Sequence, residues 1–286
     1  MNTRHQARSR LRDFFALNPR VLVITGAGCS TPSGIADYRD AAGDWKHAAP
    51  IMAQDFVRDE SCRQRYWARS MLGWPMFAGA EPNTAHGALA ALEQRGMLHG
   101  LITQNVDGLH QQAGHRELIE LHGNLAWVVC MGCGARLSRA DVQVWLQREN
   151  PFVMDLPSVP VPDGDANVGQ QAPAERHVDL GEVRVPVCAD CGAVLKPDVV
   201  FYGESVPSAR VQHAYQLVDS ADAVLVVGSS LMVYSSYRFV RRARERGLPL
   251  AAINQGRTRA DEWWQFKLAE DCTVALSALL AELSAT

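Results

Sequence analysis

Four short apolar runs punctuate the chain, and each empties into small polar residues: VLVIT at 21–25, GLIT at 100–103, AVLVV at 223–227 and LAAI at 250–253. Stretches of helical length separate them, among them TAHGALAALEQRG (84–96), SARVQHAYQLVDS (208–220) and SYRFVRRARERG (236–247). Apolar runs without alternation mark strands buried on both faces. Their alternation with helices predicts an α/β fold with a parallel sheet covered on both sides. The opening MNTRHQARSRLRDFFALNPR and the closing VALSALLAEL read as amphipathic helices at either end.

The polar ends carry more information than the strands. They read TGAG from Thr25, TQNVDG from Thr103, GSS from Gly228 and INQG from Ile253. In an open α/β sheet, ligands sit outside the carboxyl ends of the strands, so these four segments are expected to line one crest. The first resembles a dinucleotide-binding turn, with Gly26 and Gly28 in place, and makes the fold Rossmann-like. The third glycine of that fingerprint is missing, because residue 31 is Thr31 and the next glycine is Gly34, followed by a polar run to Asp40.

Two regions break the alternation. Residues 41–80, with Trp45, Trp67 and Trp74, read as a helical insertion against the sheet. Residues 129–196 hold two cysteine pairs around a Pro/Gly/Asp-rich middle, PSVPVPDGDANVGQQAPAE, expected as an extended loop. The domain reading is therefore a sheet domain over 1–128 and 197–286, carrying the insertion, and a small metal-binding module over 129–196.

Composition narrows the class. The 286 residues suffice for one large domain carrying a small one, and 47% hydrophobic with 21% charged residues reads as globular. No apolar run approaches the roughly 18 residues of a membrane span. A net charge of −3 gives no reason to expect nucleic acid or a membrane surface as partner. The one basic cluster, YRFVRRARERG, reads as a solvated helix face. Arg outnumbers Lys by 25 to 3, for which there is no functional account. The expected location is cytoplasmic; an Arg-rich start is also what a mitochondrial targeting segment looks like.

Of seven cysteines, four fall in CMGC (130–133) and CADC (188–191). Each C-x2-C is followed by a glycine, Gly134 or Gly192, that lets the backbone turn its N–H groups toward the sulfurs. Cys130, Cys133, Cys188 and Cys191 thus read as a tetrahedral thiolate site for one structural Zn2+, with no position open for water activation. The 54 residues between the pairs exceed the 15–20 or so of a compact ribbon.

At the crest, Gln104, Asn105 and Asp107 are amide and carboxylate groups suited to ribose hydroxyls and a carboxamide, although Asn, Asp and Gly also make ordinary turns. His122, after the apolar ELIEL and before Gly123, stands out among nine histidines as a candidate general base with a pKa near neutrality.

GAGCSTPSGIADYRD, TQNVDGLHQQAG, ELHGN with the C-x2-C pairs, LKPDVVFYGE, VGSSLMVYS and INQG appear in order over nearly the whole chain. Together they resemble the sirtuins, NAD-dependent protein deacylases. The wording of LKPDVVFYGE, PDGD and VGSSLMVYSSYRF is most similar to class II, which includes the mitochondrial lipoamidase-like sirtuin.

The resemblance implies roles residue by residue. Gly26, Ala27, Gly28 and Ser30 would line the pyrophosphate and ribose, and Asp37, Tyr38 and Arg39 would form a cofactor loop. Gln104, Asn105, Val106 and Asp107 would hold the nicotinamide ribose and carboxamide, with Asn105 also catalytic. Gly228, Ser229 and Ser230 would take the adenosine side, and Asn254, Gln255 and Gly256 the adenine ribose. Cys272 would be a late cofactor contact, with a small core residue as the plain reading. His122 would be the general base. An acyl-lysine peptide would add as a strand between 199–204 and 230–235, with Val199, Val200, Phe201 and Met232 as candidates for the acyl channel. The acyl oxygen would attack the nicotinamide ribose, nicotinamide would leave, and His122 would deprotonate the ribose hydroxyls, so that NAD is consumed and O-acyl-ADP-ribose and free lysine are formed. ADP-ribosyl transfer is the alternative outcome on the same scaffold.

This chain departs from the family pattern at Ala36, where proline is usual, and at Tyr38, where Phe is common. Proline's loss frees the φ angle there. No Tyr-x-x-Arg pair stands at a position that would select acidic acyl groups. Cys29 reads either as a buried inert thiol or as one activated near a helix start. Two rivals stand beside the sirtuin reading. A dehydrogenase would need a second strand ending in an acid near Asp44, and ADYRDAAGD is no strand. A zinc-ribbon interaction module would leave the polar crest without a use.

Overall fold

The computed structural model describes residues 2–35, 51–156, 158–161, 165–168 and 180–284. Ala36, Asp37, Tyr38, Arg39, Asp44 and Trp45 lie outside the described residues. In chain order the helices and strands run α1 (Asn2–Leu17), β1 (Val21–Thr25), α2 (Ala53–Arg58), α3 (Glu60–Ala78), α4 (Thr84–Gln94), β2 (Leu98–Thr103), α5 (Leu109–Gln112), β3 (Leu118–Glu120), β4 (Gly123–Cys130) and β5 (Arg136–Ser138). They continue with α6 (Arg139–Glu149), β6 (Ser158–Val161), β7 (Asp165–Val168), β8 (Leu195–Val199), α7 (Ser208–Ser220), β9 (Ala223–Val227), α8 (Tyr234–Glu245), β10 (Leu250–Ile253), β11 (Phe266–Leu268) and α9 (Cys272–Ser284). The chain divides into two units: one made of 1–47, 81–122 and 206–286, the other of 48–80 and 123–205.

The first unit is the expected parallel sheet, in the order β11-β10-β9-β1-β2-β3. Every residue of β1 and β9 is buried, which is why both read as unbroken apolar runs. Alternate residues serve the two faces. Val21, Val23, Leu101, Leu225 and Ala251 meet Leu11, Phe14, Leu89 and Leu276 of α1, α4 and α9 in one core. Helices α7 and α8 pack together and against β2, β9 and β10. Thr25 pairs with Thr103 on one side and Val227 on the other, so three strands end level. The chain leaves β1 toward β2 on one side and toward β9 on the other, which makes the β1/β9 boundary the switch point where such sheets bind ligands.

The second unit holds the antiparallel sheet β5-β4-β8 and the pair β6-β7. Here the division falls differently from the sequence reading. The helical insertion belongs with the cysteine region and not with the parallel sheet, because α3 packs on α6. The link is Arg139, only 1% exposed, whose guanidinium lies 5.6 Å and 4.7 Å from the Trp67 and Trp74 rings. It donates to Gln143 and to the Ser70 carbonyl, and Gln143 donates to the Met71 carbonyl. Burial lowers this arginine's pKa to about 10. A second correction concerns the Pro/Gly/Asp-rich stretch. It contains β6 and β7, an antiparallel pair, where a loop was expected. Pro160 is tolerated because a two-stranded ribbon has only edges.

Candidate functional site

The glycine turn after β1 is built by close approach, not by a helix start. Residues 27–29 and 31–33 form two 3-10 turns in place of the helix expected there. A Cβ on Gly26 would stand 2.8 Å from Ser229 Cβ, and one on Gly28 would stand 3.0 Å from the Gly228 carbonyl oxygen. Gly228 itself sits at φ +61°, and a Cβ there would meet Cys29 N at 2.3 Å. Backbone bonds from Gly26 N to Val227 O and from Gly28 N to Gly228 O lock the two loops together. Leu231, three residues on, is a buried non-glycine residue at φ 57°, a strained conformation of the kind that collects at working sites.

Gln104 is the hub of the crest. Its Nε2 donates to Thr25 O (3.1 Å) and Ser229 Oγ (2.7 Å), and its Oε1 accepts from Ser236 Oγ (2.8 Å). Asn105 spends both amide hydrogens inside the crest, on Gly26 O and on Ser30 Oγ at 2.9 Å, leaving only Oδ1 for other work. Ser30 Oγ in turn donates to Asp107 Oδ2 at 2.6 Å, while Leu109 N–H caps Oδ1. Burial raises the Asp107 pKa against these two bonds. Ala27 and Val106 stand partly exposed beside them. Asn254 closes on its own loop through Nδ2 to Gly256 O, with Gln255 exposed between. Ser230 O accepts from Arg259 N. Cys272 is 4% exposed at the start of α9, and burial pushes its thiol up to about 12. Its place in the core matches the plain reading of that residue.

His122 ends the segment after β3. Its Nδ1 lies 3.0 Å from the Gln104 carbonyl oxygen, which can only accept, so Nδ1 carries the proton. Nε2 is therefore the basic nitrogen, and it accepts from Ser235 Oγ at 2.7 Å. The pKa is not near neutrality as expected. Burial drives it down to about 4, Arg210 and Arg238 push the same way, and the Gln104 carbonyl opposes them. The ring is thus neutral, with its lone pair available, across the physiological range. Ser235 and Ser236 were not singled out from sequence. The available signal was two hydroxyls opening a helix directly after a strand-end loop.

In the second unit, Cys130 Sγ lies 3.4 Å from Cys191 Sγ, and Cys133 Sγ lies 3.8 Å from Cys188 Sγ. All four sulfurs fall within 4.8 Å of one another. Sulfurs about 2.3 Å from one zinc ion are spaced about 3.8 Å apart, so the donor set fits tetrahedral Zn2+. The N–H groups of Cys133 and Gly132 point at Cys130 Sγ and lower that thiol to about 6. Gly134 and Gly192 take φ of +76° and +72°, as the knuckle reading requires.

The 199–204 segment follows β8, which is the edge strand of its sheet. Val199, Val200 and Phe201 are half-buried, and Met232, in the first unit, is also half-buried. Lys196, 6% exposed, pins the segment from below. Its Nζ donates to Val199 O and pairs with Glu204 at 3.0 Å, and Glu204 also accepts from Phe201 N. Among the described residues, no helix is long and apolar enough to cross a membrane.

Comparison with known proteins shows the family of this chain. The Sir2 family model matches residues 26–235. An NAD-dependent protein deacetylase of Xanthomonas axonopodis pv. citri is 54% identical over 95% of this chain and 90% of its own. NAD-dependent protein deacetylase 2 of Bradyrhizobium diazoefficiens is 51% identical over 96% of this chain and 98% of its own. A solved Sir2 structure with a deacetylated p53 peptide and 3'-O-acetyl ADP ribose superposes with a TM-score of 0.75 at 28% identity, covering 96% of this chain and 97% of that one. The matched span runs from the first glycine of the β1 turn to the serine on His122, and over it this chain belongs to the Sir2 family.

Proposed function

We propose that His122 is the general base of an NAD-dependent lysine deacylation carried out at the crest of the parallel sheet. The reaction takes an acyl-lysine protein and NAD to free lysine, nicotinamide and O-acyl-ADP-ribose. NAD is consumed as a substrate. The relatives' names and the product in the superposed structure support this chemistry. The observation that carries the assignment is the fixed tautomer of His122, whose Nδ1–H is spent on Gln104 O while Nε2 keeps its lone pair. A ribose hydroxyl delivering its proton to Nε2 takes the place of the Ser235 hydroxyl.

The glycine turn of Gly26, Ala27 and Gly28, with Ser30, serves the pyrophosphate and ribose, and its glycines let the turn pack directly on the Gly228 loop. Gln104, Asn105, Val106 and Asp107 serve the nicotinamide end. Ser229, Ser230, Asn254, Gln255 and Gly256 serve the adenosine end. The peptide adds as a strand by backbone hydrogen bonds beside Val199, Val200 and Phe201, and Met232 is a further candidate for the acyl channel. Zn2+ on Cys130, Cys133, Cys188 and Cys191 is structural, since four thiolates leave no open position. The enzyme works in the cytoplasm, on acetyl or longer lipoyl-type groups as in class II sirtuins.

The test is nicotinamide release from NAD by purified protein. Release is expected only with an acyl-lysine peptide, and His122→Ala abolishes it. Release that continues without acyl-lysine and labels protein with ADP-ribose would assign the chain to ADP-ribosyl transfer instead. A panel of acetyl, lipoyl, biotinyl and acidic acyl peptides sets the acyl class.

A further inference from the structure

Three residues that deacylation leaves idle meet beneath the glycine turn. Cys29, on the first 3-10 turn, His86, in the first turn of α4, and His110, in α5, are 0%, 0% and 1% exposed. One donor atom from each, a sulfur or a ring nitrogen, lies within 4.8 Å of those of the other two. A thiolate with two imidazoles is a donor set for Zn2+, with bonds of about 2.3 Å to sulfur and about 2.0–2.1 Å to nitrogen. Donors around such an ion stand roughly 3.3–3.6 Å apart, so the triad closes on it by about an ångström. Three protein ligands leave the fourth position to water.

Two features of the surroundings favour an ion there. His110 Nδ1 is buried and has no hydrogen-bond partner among the described residues, whereas its Nε2 is held by Thr25 Oγ1 at 2.9 Å. Asp107 and Asp271 place carboxylate charge near Cys29. The same charges welcome a cation. The other charged or titratable groups facing the cluster are Cys272, beside Cys29, and His115, whose ring stacks edge-on with His110 at 5.1 Å and whose Nδ1 lies 3.4 Å from Glu93.

We propose that Cys29, His86 and His110 form a second metal site, for Zn2+, and that filling it weakens NAD binding. On binding, the ion sheds water, the Cys29 S–H proton passes to solvent, and an S–Zn bond forms. His86 frees its Nδ1 lone pair by releasing the Asn83 N–H that Nδ1 accepts at 3.2 Å, or frees Nε2 by moving the ring proton from Nε2 to Nδ1, which ends the same Asn83 bond and leaves the ring neutral. The coupling to NAD rests on the reading of the crest given above and is built through Ser30. Ser30 follows Cys29 directly, faces His86 Nε2 at 3.4 Å, and holds both Asn105 and Asp107. Drawing Cys29 and His86 onto one ion pulls Ser30 away from those two partners.

The experiment uses full-length protein with its four-cysteine module zinc-loaded, titrated with Zn2+ against a competing fluorescent indicator. A second equivalent per chain is expected, with one sulfur and two nitrogens around it by X-ray absorption, and at least a tenfold rise in the NAD dissociation constant by calorimetry. Cys29→Ser weakens the second equivalent at least tenfold and removes the zinc effect on NAD. Cys62→Ser, at another buried cysteine, retains both. The site is overturned if wild-type protein holds a single equivalent, if the second has no sulfur ligand, or if Cys29→Ser binds it as wild type does. If Cys29→Ser does not fold, the wild-type stoichiometry and sulfur count decide alone. An unchanged NAD affinity with the second equivalent bound overturns the coupling. Failure to bind NAD before the second equivalent is added overturns the crest reading instead, and the metal site is still judged on its stoichiometry and ligands.

Discussion

The crest of the parallel sheet and the cysteine module solve the same problem, holding polar groups in a fixed geometry, in opposite ways. At the crest the groups satisfy one another. Gln104 bonds three neighbours through its side chain and His122 through its carbonyl, and Asn105, Ser30 and Asp107 form a closed chain. In the module, four sulfurs converge at 3.4–3.8 Å across the pairs, and thiols so placed repel once ionised. They need a cation between them. The crest is therefore set by folding itself, whereas the module's geometry depends on a bound group.

The most severe way to break that contrast is Cys130→Ser. Structural zinc sites are worth on the order of 10 kcal/mol in isolated zinc peptides. Loss of bound zinc and of hydrogen-exchange protection across 123–140 and 183–199 is expected, with the protection of β1 and β9 retained. Equal loss in both places would show that the crest is not self-sufficient.

His122→Ala comes next. Removing a general base costs about 10²–10⁴ in rate. The loss is expected in kcat, with NAD affinity changed less than threefold, because His122 leans on Gln104 through a backbone carbonyl and leaves the Gln104 side-chain bonds intact. A matching loss of NAD affinity would mean that the ring helps to build the crest.

The sheet and the zinc ligands were legible in the sequence because their signals are local. VLVIT, AVLVV and LAAI are strands at the positions where their unbroken apolar character placed them. The cysteine pairs announce themselves by spacing. What could not be read depends on which distant segments meet. Arg139 looks like a surface residue until α3 supplies Ser70, Trp67 and Trp74, and that packing is why 48–80 joins the cysteine unit. Ser235 is 113 residues from His122 in sequence, so no spacing rule could pair them. The histidine's low pKa follows from the same long-range burial, which sequence composition does not report.

Acid sharpens the comparison from the crest side. His86 and His122 have pKa values of about 4 in the folded protein against 6.5 unfolded, and His110 is lowered as well, in each case by burial first. The unfolded chain binds more protons between these values, so stability is complete above pH 6.5 and falls as pH drops toward 4. A loss on the order of a few kcal/mol is expected from denaturant melts across that window. His86→Gln should flatten the slope. An unchanged slope would mean that the buried rings are solvated before the protein unfolds.

The smallest effect concerns the crest bond that the proposed general-base step would break, between Ser235 and His122. The Ser235 O–H donates to Nε2 of the neutral His122 ring, and it cannot donate there once the ring is protonated. That bond stabilises the neutral form, so Ser235→Ala should raise the His122 pKa from about 4 toward 6.5. A neutral hydrogen bond is worth about 1 kcal/mol net, which limits the shift to about one pH unit and the rate change to less than about tenfold. Nitrogen NMR titration of the His122 ring reads the pKa, and the same spectra report the tautomer. The Nδ1–H form should persist in the variant, because the Gln104 carbonyl fixes it without help from Ser235. Loss of that tautomer would show that the serine, and not the hub residue, sets the base, and that the crest is less self-supporting than its hydrogen bonds imply.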